Sequence, residues 1–182
     1  MPEYGLHKCY YAPMVKPPFD DIMAPAYLAP RPLPGAVKLN LDPDVKYNAF
    51  EDINDKSGVK RRYSKKIQGF KGTLQVVHLP KDFLIDVLNW EYIDGMFLRR
   101  AEETLITDFA LLYETEGDKA RHIYYDVQCE PVGVDIETIA EKIVFNPVEL
   151  PVIAYPRRND GFIDGFALPG ERKYYTFYER VS

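Results

Sequence analysis

The sequence predicts a mainly β fold with one short helix, and three observations support that prediction. Aromatic residues, which favour strands, are abundant: the 182 residues include 14 Tyr and 10 Phe. Several segments alternate apolar and polar residues with the period of two that is typical of half-buried strands. One segment, residues 80–90, instead spaces its apolar residues like a helix. Strands and helices do not alternate along the chain, so an α/β fold is not expected.

The composition is that of a single soluble domain, residues 1–182, with 46% hydrophobic residues and a net charge of −5. An acidic chain is unlike proteins that grip nucleic-acid phosphates. Cys9 and Cys129 have no metal-binding spacing and fall short of the roughly four ligands of structural zinc. A disulfide between them is possible but unneeded at this size. The chain shows neither a signal-peptide pattern nor a membrane-length apolar run, so we expect a reducing cytoplasm.

The first 34 residues predict an extended N-terminal arm that lies on a surface. Seven of the 15 prolines fall between Pro13 and Pro34. Because proline lacks an N–H and fixes φ, such a stretch suits neither a helix nor a central strand. Tyr10, Tyr11 and Phe19 make it too apolar for a free linker. A disordered tail is the alternative.

A strand and then a long loop are predicted next. Alternation over residues 35–41 predicts a strand that buries Val37, Leu39 and Leu41. Residues 42–68 break this pattern, beginning at the turn signal Asp42-Pro43-Asp44. Long structureless loops are uncommon in compact domains and are usually functional or disordered.

The charges of residues 42–68 run from acidic to basic, and they form the candidate contact between subunits. The candidate residues are Glu51, Asp52, Asp55, Lys60, Arg61, Arg62, Lys65 and Lys66. The acidic half of one copy could pair with the basic half of a neighbour. A solvated loop is one alternative, and a nucleic-acid contact through the basic run is another.

The predicted helix follows a strand at residues 70–79. Pro80 suits the first helical turn. Phe83, Val87 and Trp90 lie on one apolar stripe, which indicates a helix that packs against a sheet.

Residues 104–116 and 119–130 predict the longest hairpin. Alternate positions from Ile123 to Cys129 predict an apolar face on its second strand, and the positions between them a polar face. The first strand is apolar on both faces around residues 109–112, which indicates that it is covered on both sides.

The last third of the chain predicts further strands. Residues 149–155 and the aromatic-rich residues 173–181 suit strands, separated by a turn-rich loop at 157–170. Residues 132–145 fit a helix or a strand equally well.

The sequence offers no catalytic constellation. His7, His78 and His122 are the three histidines, and none has a metal-binding or Cys–His spacing. No serine lies in a nucleophile-elbow motif, and no glycine-rich phosphate loop occurs. Opposed carboxylates of a glycosidase type stay open on sequence alone. We therefore expect neither enzymatic activity nor a cofactor.

Five short motifs stand in a recognisable order along residues 1–156. They are Gly5-Leu6 followed by Tyr11-Ala12; Gly35-Ala36-Val37; a G-x-x-G-T-L…L-P-x-x-F…L segment over residues 69–89; FALLYE at 109–114 followed by Gly117-Asp118; and LPVIAYP at 150–156. Together they resemble the major tail tube protein family of long-tailed (siphovirus) bacteriophages. The segment 157–182 lies outside the resemblance, and its role stays open.

The resemblance implies a tail-tube type β-sandwich or small barrel with one flanking helix, and a strand at residues 138–145. It implies six copies in a ring, rings stacked into a hollow tube, and DNA ejection through the tube without specific binding. Implied partners are the protein itself, a tape measure protein, a tail terminator and distal tail or baseplate proteins, with no membrane. The resemblance also implies that the protein assembles in the host cytoplasm and is located in the virion tail.

In such a tube the polar face of the long hairpin is the candidate lumen surface, represented by Glu114, Asp126 and Glu130. The long charged loop would reach an adjacent ring. Two alternatives remain: another ring or connector component of a phage-like tail or injection machine, and a monomeric β-sandwich that is a binding module or a glycosidase-like enzyme.

Overall fold

A computed structural model describes residues 6–15, 25–51, 61–99, 106–132 and 147–181, although not the side chains of 48–51 and 61–64. Over these ranges the protein is mainly β, as predicted. The strands are β1 (Leu6–Val15), β2 (Ala26–Tyr27), β3 (Arg31–Pro32), β4 (Ala36–Glu51), β5 (Arg61–Val76), β6 (Glu91–Ile93), β7 (Met96–Leu98), β8 (Phe109–Thr115), β9 (Arg121–Cys129), β10 (Val148–Tyr155) and β11 (Asp164–Ala167). The helices are α1 (Lys81–Asp86) and α2 (Arg172–Tyr175).

One large antiparallel sheet organises the described chain. Its strand order is β2-β1-β8-β9-β10-β5-β4, with β3 beside β1 and β11 beside β9. Strand β1, near one end of this order, approaches β4 at the other end, so the sheet curls around its core. Strands β6 and β7 form a separate two-stranded ribbon.

The main core lies between the curled sheet and α1. Phe83, on this helix, is fully buried and meets the rings of Tyr11 and Phe109 edge to face, with centroids 4.9 and 5.6 Å away. Asp86 fixes the end of the helix by accepting hydrogen bonds from the Tyr11 hydroxyl and from Arg31. The predicted helix is confirmed, although it ends earlier than residue 90.

A second, smaller cluster covers the opposite face of β1, β8 and β9. Its buried members are Ala12, Ala110, Leu112 and Ile123. Residues of the chain end pack over them, and Tyr178 stacks on Tyr10. The predicted strand at 173–181 is therefore wrong: α2 and turns occupy this segment, because its aromatic rings cover a sheet face instead of extending an edge. Strand β8 is buried on both faces, as predicted.

Two irregularities in strand pairing overturn the predicted faces. A register shift between Ala36 and Lys38 leaves Val37 exposed, whereas Leu39 and Leu41 pack against the core. A second shift divides β9, so that Ile123 packs in the smaller cluster and Val127 and Cys129 in the main core. One extra residue in a strand turns every later side chain to the other face, which simple alternation cannot anticipate.

The predicted N-terminal arm is wrong over its first part, because residues 6–15 form a fully integrated strand in which Tyr11 and Ala12 are buried. Within β1 the only proline is Pro13, near its end, so most of the strand keeps the N–H groups that pairing requires. Residues 25–34 do run extended along β1, through the short strands β2 and β3. The proposed strand at 138–145 lies outside the described residues.

The predicted loop at 42–68 is also wrong, because β4 and β5 are each 16 residues long and pair as far as Glu51 and Arg61. The turn signal at Pro43 is overridden because β4 is an edge strand, where a missing N–H costs the sheet little.

Replacing Phe83 by Ala is expected to reduce the free energy of unfolding by about 3–5 kcal/mol, because a fully buried ring leaves a cavity between Tyr11 and Phe109. Ile85, on the same helix but 42% exposed, gives the matched control. Its replacement by Ala should cost less than about 1 kcal/mol. Chemical denaturation followed by circular dichroism measures both, and equal losses would contradict this assignment of the core.

Candidate assembly interface

The outer half of the β4–β5 pair extends beyond the rest of the sheet. Strand β10 accompanies β5 only as far as Phe70, which is opposite Ala154. Beyond that point, residues 45–51 and 61–67 pair only with each other within the described chain. We call these two segments the projecting hairpin. A two-stranded ribbon without a third strand is marginally stable in water, so this element suits contact with another surface.

Two glycines allow the strands to converge where the projecting hairpin begins. A Cβ on Gly69 would lie 2.4 Å from the carbonyl oxygen of Ala154, and one on Gly72 only 1.7 Å from that of Asn40. Real Cβ atoms do not approach backbone so closely, so any side chain here would push β5 away from β4 or β10.

A notch of about 340 Å³ opens beside these glycines, lined by Asp44, Gln68, Gly69, Lys71, Ile153 and Tyr155. Its two charged groups already pair, with 2.8 Å between Lys71 Nζ and Asp44 Oδ2. The hydrogen bond with Asp44 raises the pKa of Lys71. The ion pair therefore braces the base of the hairpin.

The described side chains of the projecting hairpin are basic and partly apolar. Lys46, Lys65 and Lys66 are exposed, as are Tyr47 (61%) and Ile67. The ammonium of Lys65 lies 5.8 Å from the centre of the Tyr47 ring, on the opposite strand. An exposed aromatic residue flanked by cations is suited to a protein contact in which apolar area and charge act together.

The structure brings the described candidate contact residues onto this one hairpin. Lys65 and Lys66 lie on β5. In the backbone register, Glu51 of β4 is opposite Arg61 of β5, and the residue before Glu51 is opposite Arg62. Asp52, Asp55 and Lys60 lie outside the described residues. The described acidic residue therefore lies on β4 and the described basic residues on its partner β5, instead of all lying along one loop. Their contact with another subunit stays a prediction.

Sequence reasoning missed Lys46, Tyr47 and Ile67 as members of the candidate surface. The alternation Val45-Lys46-Tyr47-Asn48-Ala49 was an available signal for a strand. The preceding turn signal Asp42-Pro43-Asp44 instead favours a loop at this position.

Among the three candidate lumen residues, Glu114 is buried inside the subunit, with 2% of its surface exposed. Its carboxylate lies 3.5 Å from Lys8 Nζ and 3.1 Å from Arg121 Nε. Burial raises the pKa of Glu114, but the hydrogen bond from Arg121 and the charge of Lys8 outweigh it, so the pKa is lowered. Asp126 is half-buried and Glu130 is exposed. A carboxylate buried inside the subunit cannot line a channel, so the lumen prediction is wrong for Glu114. For Asp126 and Glu130 it stays a prediction.

Arg121 links this buried carboxylate to the C-terminal segment. Its guanidinium donates a hydrogen bond to the carbonyl oxygen of Tyr174 and lies over the rings of Tyr174 and Tyr178, 3.8 and 4.8 Å from their centres. The Glu114–Arg121 pair therefore holds the last turn-rich segment against β8 and β9.

Three titratable side chains elsewhere, His122, Cys9 and Cys129, take part in packing. His122 stacks between Tyr113 and Phe166, with ring centres 5.1 and 5.8 Å away, and burial lowers its pKa. Cys9 and Cys129 are free and buried, and burial raises their pKa values to about 12, which keeps the thiols unreactive at neutral pH. Over the described ranges, no three His, Cys, Asp or Glu side chains cluster as metal ligands would.

Comparison with known proteins identifies no relative: no protein-family model matches the chain, and no curated protein sequence matches it. None of the helices in the described ranges has the length and apolar character needed to cross a lipid bilayer. The structure therefore establishes the fold: a sandwich-like, mainly β protein from which a hairpin with exposed lysines projects.

Glu114→Gln is expected to lower stability at pH 7 by up to about 3 kcal/mol, because it removes one charge of a buried pair. In the folded state the pKa of this carboxyl is lower than the ordinary value of 4.5. The carboxylate therefore stabilises the fold fully above the unfolded-state pKa, and this stabilisation disappears as pH falls through the folded-state pKa.

The difference between wild type and Glu114→Gln should therefore be constant above about pH 5 and shrink at lower pH. Denaturation curves between pH 7 and pH 3 measure it. Glu116→Gln, at an exposed position two residues away, provides the isosteric control. A difference that grows towards acid pH would contradict the role given to Glu114.

Proposed function

We propose that this protein is a structural, non-enzymatic subunit of a phage tail tube, in which hexameric rings stack into the conduit for DNA ejection. The observation that carries the proposal is the projecting hairpin, whose two strands pair only with each other beyond residue 69 in the described chain. The order of the sequence motifs, which resembles that of siphovirus tail tube proteins, supports the same function.

Unpaired strand edges supply the physical basis for assembly. Strand β4 ends the sheet order, and the inner edge of residues 61–67 has no partner strand among the described residues, because β10 stops beside Phe70. Open edges readily accept a strand from another chain, so isolated proteins usually protect them with charges or bulges. In a ring every such edge meets a neighbour, which removes the liability.

A second exposed surface favours association over a monomeric role. Within the described parts of the chain, β6 and β7 pair only with each other, and Tyr92, Ile93 and Met96 on them are exposed. Clustered apolar side chains of this kind mark protein contacts more often than open solvent surface.

The proposed role also assigns partners and location. The tube would assemble on a tape measure protein in the host cytoplasm, end at a tail terminator and join distal tail or baseplate proteins. A net charge of −5 suits a conduit, because an acidic surface repels DNA phosphates.

Negative-stain electron microscopy of the purified protein, with sedimentation velocity over a range of concentrations, tests the proposal. Long hollow tubes of stacked rings are the expected result. Single rings that never stack would instead support a connector component of a phage-like machine. A protein that stays monomeric at high concentration would rule out both and return the β-sandwich binding module or enzyme to consideration.

Reversing Arg61 and Arg62 to Glu is expected to impair stacking without unfolding the subunit, since both residues lie at the outermost described part of β5. The far-ultraviolet circular dichroism spectrum should match that of wild type, while tubes shorten or disappear. Arg172→Glu combined with Lys173→Glu gives a control with the same change in charge at a pair of exposed positions elsewhere. Normal tubes from the Arg61 and Arg62 variant would refute the contact role of the hairpin.

A further inference from the structure

Two lysines on the projecting hairpin lie side by side, and no described side chain of opposite charge forms an ion pair with them. Lys46 and Lys66 are direct cross-strand partners, and both are exposed. Like charges directly opposite each other on neighbouring strands are destabilising. Among the residues whose side chains are described, no carboxylate forms an ion pair with either lysine. The lysine pair is therefore suited to an acidic surface outside the hairpin.

Two exposed glutamates, Glu130 and Glu149, form a negatively charged pair elsewhere on the sheet. The backbone N–H of Glu130, directly after β9, donates to the carbonyl oxygen of Pro151, two residues from Glu149 on β10. Their neighbours Cys129 and Leu150 point into the main core, so both glutamates lie on the outer face and are exposed. Glu149 accepts a hydrogen bond from the Gln75 amide, and no described cation pairs with either carboxylate.

The two pairs lie at opposite ends of the sheet. Strands β5 and β9 are both antiparallel to β10, so they run in the same direction, and the glutamate pair lies where both of them end. Glu149 is opposite Gln75, nine residues along β5 from Lys66. At about 3.3 Å per residue the separation is about 30 Å, well beyond the roughly 8 Å over which charges interact in physiological salt. The pairs cannot neutralise each other within one chain.

We infer that the lysine pair of one copy binds the glutamate pair of a second copy, in a head-to-tail contact. This inference rests on the proposed self-assembly and gives it a direction. The two surfaces differ and lie at opposite ends of the sheet, so the contact leaves a free lysine pair and a free glutamate pair on each assembled dimer. A heterologous contact of this kind repeats along the strand direction, as stacking of subunits requires.

Apolar side chains accompany both charged pairs, which gives the contact area as well as charge. Tyr47 and Ile67 are exposed on the opposite face of the projecting hairpin from Lys46 and Lys66, so a partner that wraps around this two-stranded ribbon would contact both faces. At the other end, Arg99 directly follows the apolar β6–β7 ribbon and donates a hydrogen bond to the carbonyl oxygen of Val132, two residues from Glu130. The charges would set register and encounter rate, and the apolar residues would supply the buried surface.

A charge swap tests the contact. Lys46→Glu with Lys66→Glu makes a hairpin-reversed protein, and Glu130→Lys with Glu149→Lys makes a face-reversed protein. Each alone sets like charges against each other, and its critical concentration for assembly should rise by about tenfold or more. An equimolar mixture should assemble near the wild-type concentration, because every contact then joins opposite charges. Light scattering with electron microscopy at low salt measures all three.

Controls separate the contact from net charge and from folding. Arg172→Glu with Lys173→Glu matches the charge change of the hairpin-reversed protein, and Glu116→Lys with Glu179→Lys matches that of the face-reversed protein, all at exposed positions. These controls should assemble like wild type, and thermal melts should show every variant folded.

The outcomes distinguish the inference from the proposed function. A wild-type protein that never assembles defeats the proposed function and the inference with it. A wild type that assembles while the reversed proteins do so equally well overturns the inference alone. So does a mixture that stays unassembled although both reversed proteins are folded.

Discussion

The close backbone approach at Gly69 and Gly72 is the constraint on which the sheet depends. Strand β5 is paired on one side with β4 and on the other with β10, and Gly72 is opposite both Leu41 and Val152. Because these positions carry no Cβ, three strands converge within a distance that a side chain would prevent. The sheet is thereby completed on one side of Gly69, and only the β4–β5 pair continues on the other.

Burial on both faces makes the centre of the sheet depend on the end of the chain. Helix α1 closes the main core through Phe83, and the C-terminal segment covers the opposite face through Tyr178. Buried Glu114 offsets the cost of its desolvation through Arg121, whose guanidinium also holds the C-terminal backbone. Two distant parts of the sequence therefore stabilise β8 together, and neither is local to it.

Alternation predicted the elements whose environment is local, and failed where tertiary structure decides. The hairpin of β8 and β9, the strand β10 and the helix at Phe83 follow from their own apolar spacing. The bulge at Val37 does not, because a register shift depends on the partner strand. Pro43 signalled a turn but lies in an edge strand, where proline is tolerated. Charge alone indicates the candidate contact residues, but the Asp42-Pro43-Asp44 turn signal predicts a loop where the described ones lie on the paired strands β4 and β5.

Charge distribution connects this architecture to the proposed assembly. Copies of a chain with a net charge of −5 repel each other on close approach, so assembly needs attraction that is local and directional. The described lysines of the projecting hairpin concentrate positive charge on the element that leaves the sheet, while Glu130 and Glu149 concentrate negative charge at the opposite end. Salt screens exposed charges within about 8 Å, so neither surface attracts a partner in the wrong orientation from afar. Specific attraction then requires the hairpin of one copy to reach the far end of another, and this requirement favours an ordered, polar stack over random aggregation.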